Sequence, residues 1–104
     1  MLDSGFIGHF PVGGTILLFV QVRSQNLAVA SATGTPTFAV YNPKGFQPDS
    51  GSMDAEVSGK TGFWTKSLAL NNQSSYQAGE TYTVICSYVE GGNNRSSIST
   101  FQVI

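Results

Sequence analysis

A chain of 104 residues has the length of one domain, enough to bury a core without metals or disulfides. Its formal net charge is −1, only 11% of residues are charged, and the five basic residues (Arg23, Lys44, Lys60, Lys66, Arg95) are scattered. That excludes a general nucleic-acid binder, which neutralises phosphates with clustered Lys and Arg.

Residues 1–14, MLDSGFIGHFPVGG, have no basic segment and no long apolar run, so they do not read as a secretory signal. They read as an arm preceding a domain at residues 15–104. Leu2, Phe6, Ile7, Phe10 and Val12 lie among Gly5, Gly8, Gly13 and Gly14 with neither strand nor helix period over the whole segment. Two forms are open to it. It can dock on a neighbouring subunit or a host protein, burying Phe6, Ile7 and Phe10, or it can add an edge strand to its own domain.

The run GTILLFVQVRS alternates, with Ile16, Leu18, Val20 and Val22 on one face and Leu17, Phe19, Gln21 and Arg23 on the other. Its apolar part, TILLFV, is far shorter than the ~20 residues that span a bilayer. LAVASA is a second candidate strand, and PTFAVY a third with Phe38 and Val40 inward. Asn42-Pro43-Lys44-Gly45 makes a turn and FQPDSGS an irregular loop. MDAEV alternates with Met53, Ala55 and Val57 in and Asp54 and Glu56 out. After the turn SGKTG, FWTKSLAL places Trp64, Lys66, Leu68 and Leu70 on one face. A lysine there either snorkels past the edge or marks a bulge. NNQSSYQAGE is a long loop. Tyr82, Val84, Cys86 and Tyr88 share a strand face, EGGNN turns the chain, and SSISTFQVI closes it with Phe101 and Val103 inward. About seven short strands with frequent turn signals predict an all-β, antiparallel β-sandwich.

The stretch AGETYTVICSYVEGGNNRSSISTFQV resembles the final hairpin of immunoglobulin-like and fibronectin type III modules. Gly79-Glu80-Thr81-Tyr82 fits their tyrosine corner, which implies that the Tyr82 hydroxyl bonds back to nearby backbone. TPTFAVYNPKG and TGFWTKSLAL resemble strands of bacterial and phage Ig-like modules. The Cys–Trp–Cys pattern of antibody domains is missing, because Cys86 is the sole cysteine.

Candidate chemistry is sparse. His9 is the one histidine, so no Ser-His-Asp set can be assigned, and one His with one Cys makes a zinc site within the chain untenable. Cys86 reads as a buried structural thiol. Asp54 and Glu56 read as a solvated strand face, and with Asp49 they match no calcium-loop spacing. GGNNR and VGGT lack the lysine and helix of a phosphate loop. The sequons at Asn72 and Asn94 read as chance products of a Ser- and Asn-rich chain. Trp64, Phe63, Tyr76 and Tyr41 are candidates for an aromatic patch; if Trp64 points inward, Phe63 points outward.

These readings lead to a non-enzymatic structural protein of a tailed-phage virion, a capsid decoration or a tail or neck accessory. It would be assembled in the reducing host cytoplasm and act in a symmetric array through contacts with other virion proteins. Phe6, Ile7, Phe10 and Phe63 are the expected interface residues. No cofactor, nucleic acid or membrane partner is expected. A bacterial surface or adhesin module and a carbohydrate-binding accessory module using Trp64 and tyrosines are the alternatives.

Overall fold

The computed structural model describes residues 4–24, 28–71 and 76–104. Among them eight strands form two sheets: β1 (Ser4–Phe10), β2 (Thr15–Gln21), β3 (Thr37–Tyr41), β4 (Asp49–Ser52), β5 (Ala55–Glu56), β6 (Phe63–Ala69), β7 (Thr81–Glu90) and β8 (Asn93–Val103). One sheet has the order β1-β8-β7-β3-β4 and the other β2-β6-β5. β1 and β8 run parallel, and the other pairs are antiparallel.

The two-residue periods become the core. Ile16, Leu18, Val20 and Leu68 from the smaller sheet meet Phe38, Val40, Val84, Phe101 and Val103 from the larger one, all at most 5% exposed. The β2–β6 register runs unbroken from Thr15↔Ala69 to Gln21↔Phe63, so Lys66 marks no bulge. Its stem snorkels instead: Nζ pairs with Asp54 Oδ1 at 3.0 Å and lies 5.9 Å from the Phe38 ring centre. The β7–β8 hairpin closes on Gly91 and Gly92, with φ of 56° and 81°. Two positive φ angles match the right-handed twist of the flanking strands.

Three segments depart from the sequence expectation. In LAVASA, Leu27 lies outside the described residues. Residues 28–32 make no strand, only one bridge between Val29 and Arg23. Alanine and serine there have too little apolar surface to hold a strand against the core. FQPDSGS contains β4, which pairs with β3 through backbone alone. Ser50, Gly51 and Ser52 are exposed and Asp49 is half-buried, so this strand needs no apolar alternation. MDAEV contributes only the two-residue β5, although Met53 is buried and Asp54 and Glu56 face out as expected.

Of the two forms open to the arm, the structure has the edge strand. β1 pairs with β8 from Ser4↔Ile98 to Phe10↔Val103, with a register shift between Phe6 and Gly8. The Ile104 amide donates to the Phe10 carbonyl at 2.9 Å, and the Val12 amide donates to the Ile104 carbonyl at 3.2 Å. The shift breaks the strand period, which is why no alternation shows in the sequence. Leu2 lies outside the described residues.

Candidate contact surface

β1 and β2 end their respective sheets, and a groove of about 200 Å³ separates them. Gly5, Ile7, Leu17, Phe19 and Ile98 line its walls, while Leu18, Val84 and Cys86 reach it from the core. Leu17 and Phe19 point away from the core because they hold the odd positions of β2, and they are 56% and 61% exposed. Phe63 pairs across from Gln21 and stacks on Phe19, with ring centres 5.5 Å apart and planes 8° from parallel. Phe6 and Ile7 are exposed on β1, and Phe6 meets the His9 ring edge-on at 5.2 Å.

The expected interface residues therefore divide. Ile7 lines the groove, Phe6 is exposed beside it, and Phe63 is half-buried and braces Phe19. Phe10 turns the other way and sets its ring edge-on against Phe101, with centres 6.2 Å apart, as part of the core packing. Half-buried against its own domain, Phe10 contributes to the stability of the fold. Leu17 and Phe19 were not singled out from the sequence. Their signal was legible: TILLFV is apolar on both faces of a strand, more than one buried face requires. Val29 and Phe46 are exposed singly, as ordinary surface allows.

The remaining candidates are taken up structurally. Tyr76 is fully buried, not part of a surface patch, and its hydroxyl donates to Asp49 Oδ2 at 2.6 Å. Burial first, and then the Asp49 carboxylate, push its phenol well above the usual tyrosine range. Trp64 packs against the core edge, and the half-buried Tyr41 accepts a bond from Gln47 at 3.3 Å. Glu56 accepts the Gly62 amide at 2.7 Å and closes the turn before β6. The Tyr82 hydroxyl accepts the Gln77 amide at 2.8 Å, the bond that the tyrosine corner implies. Cys86 is buried, and desolvation pushes its thiol up to about 11, which suits packing and not nucleophilic attack.

A second cleft, about 320 Å³, is lined by Phe19, Arg23, Tyr88 and Arg95. Arg23 and Tyr88 engage the chain itself, whereas buried Arg95 Nε makes no hydrogen bond among the described residues. Arg23 donates from its amide to Tyr88 at 3.3 Å and from Nη2 to Gln21 at 3.0 Å, and Arg95 Nε lies 3.9 Å from Glu90. Asn94 is exposed, whereas the sequon at Asn72 lies outside the described residues. Among the described residues, no three of His, Cys, Asp and Glu come together as a metal site. Comparison with known family models, curated proteins and solved structures finds no match to this chain.

Proposed function

We propose that this chain is an immunoglobulin-like module that works through protein–protein contacts, as a non-enzymatic structural subunit of a tailed-phage virion. The fold reading is supported by the orders β2-β6-β5 and β8-β7-β3, which follow the B-E-D and G-F-C orders of that sandwich. The tyrosine bond to the Gln77 amide supports it further. The single observation behind a contact role is the apolar strip of Ile7, Leu17 and Phe19 along one side of the molecule, where monomers usually keep large side chains apart. The virion setting is supported by the sequence. A domain of this shape holding one buried, unpaired thiol suits folding in a reducing cytoplasm, and its uncharged polar surface suits a particle exterior.

Mass spectrometry of particles purified from the source culture should find the protein in stoichiometric amounts. The variant Leu17→Ser/Phe19→Ser should keep its circular dichroism spectrum and fail to join the particle. Particles without the protein would overturn the virion setting. A double variant that joins normally would overturn the role of the strip.

A further inference from the structure

Every open sheet invites another strand at its edges, and three of the four edges here are blunted. β4 has four residues beginning at Asp49, β5 has two and ends in Glu56, and β1 carries two glycines and a register shift. β2 has seven residues, TILLFVQ, with no charge, proline, glycine or register shift. Among the described residues nothing pairs with its outer side. A long, regular, apolar edge of this kind is a template for strand addition.

The backbone phase is fixed by two hydrogen bonds. The Val22 amide donates to the Gly62 carbonyl at 2.7 Å, and the Leu70 amide donates to the Gly14 carbonyl at 2.9 Å. Even-numbered residues of β2 therefore face β6, and the N–H and C=O groups of Thr15, Leu17, Phe19 and Gln21 point outward. These four read polar, apolar, apolar, polar, the same from either end.

We propose that β2 pairs antiparallel with β2 of a second copy of this chain, about a two-fold axis through Leu18. This rests on reading the strip as a contact surface and names its occupant. In that register Leu17 faces Phe19 of the second copy, and Thr15 faces its Gln21, so every outward backbone group finds a partner. Arg23, the nearest charge beyond the end of this strand, falls opposite Gly13 of the second copy. Parallel pairing would set it beside its own equivalent. A net charge of −1 leaves little repulsion between copies. The three-stranded sheets join into one sheet of twice the width. A single strand pair with its apolar flank covers less than about 1,200 Å², the lower end of stable interfaces, so association belongs in the micromolar range or weaker.

The register supplies its own test by sedimentation velocity of the full chain from about 1 μM to about 1 mM, a span that covers such affinities. The parent should form dimers within that range. Leu17→Lys and Phe19→Glu should each weaken dimerisation at least tenfold while keeping the monomer's thermal midpoint near the parent's. The combined Leu17→Lys/Phe19→Glu variant should regain affinity, because the introduced ammonium of each copy then faces the introduced carboxylate of the other. A parent that stays monomeric throughout overturns the proposal. So does a dimer that both single variants leave intact, or a combined variant no tighter than either single one. A monomeric parent that still joins particles through the strip would sink the second copy alone and leave the contact role standing.

Discussion

Tyr82 and Cys86 share the inward row of β7, with Val84 between them, and do different work. Tyr82 combines a fully buried ring, stacked 5.5 Å from Phe101, with a hydroxyl that takes up the Gln77 amide. Tyr82→Phe removes that bond alone and should cost about 1 kcal/mol. Tyr82→Ala adds a cavity beside Tyr76 and Phe101 and should cost ~3 kcal/mol or more. Urea denaturation of both variants reads the difference, and equal small losses would show that the corner carries no stability. Cys86→Ser should cost roughly 1–3 kcal/mol, because a hydroxyl enters an apolar site. The thiol also predicts alkaline behaviour. Its folded pKa, about 11, exceeds the ordinary thiol value of 9.0, so the unfolded chain releases the proton first. This stabilising contribution is therefore complete below pH 9 and declines between pH 9 and 11, by roughly 2–3 kcal/mol. Tyr76 and Tyr82 are raised as well, and their losses set in from about pH 10, where tyrosines of the unfolded chain ionise. In Cys86→Ala the stability curve should be flatter between pH 9 and 10, as measured by denaturant midpoints.

β1 shows how one strand can hold both a core residue and a surface residue of the same type. Phe10 closes over Phe101, while Phe6, beyond the register shift, is 57% exposed. Phe10→Ala should cost about 2–3 kcal/mol, and Phe6→Ala should stay within ~0.5 kcal/mol of the parent. Thermal melts of the two variants decide it: equal effects would contradict the register. Deleting residues 1–12 should lower the thermal midpoint for the same reason, since it uncovers β8 and removes Phe10. Composition could not show this, because glycines and a broken period hide a strand whose partner, β8, lies at the far end of the chain. β4 was hidden for a related reason, as its backbone bonds to β3 leave no trace in side-chain pattern. Lys66 was posed correctly as a choice, and the unbroken β2–β6 register together with Asp54 decided it.

At the scale of the whole molecule, stability comes from apolar packing across two sheets and hardly from charge. Among the described residues the ion pairs are Lys66–Asp54 at 3.0 Å and Arg95–Glu90 at 3.9 Å, and the side chains of both are partly exposed. Raising sodium chloride from about 0.1 to 1 M should therefore change unfolding free energy by less than about 1 kcal/mol, apart from any effect on self-association. A large loss in urea titrations at high salt would contradict that balance. Joining the first strand to the last also makes folding depend on contacts between chain ends, which places it on the millisecond-to-second scale of β-sandwiches.

The sequence by itself determined the class of structure and much of the core. Period-two alternation in β2, β3, β7 and β8 marks which residues are inward, because successive side chains on a strand must face opposite sides. The sequence also marked the Gly91-Gly92 turn and the inward thiol, which depend on neighbours close along the chain, while the tyrosine bond was implied by the resemblance of Gly79-Glu80-Thr81-Tyr82 to a tyrosine corner. Tertiary structure alone decided what depends on distant partners. It made residues 4–10 a parallel edge strand, sent Phe10 inward and Phe6 outward, and buried Tyr76 against Asp49. It also left β2 at the end of its sheet, and so turned Leu17 and Phe19 from the second face of a strand into a surface. Local pattern fixes which way a side chain points relative to its neighbours, whereas exposure depends on what else the chain brings to that face.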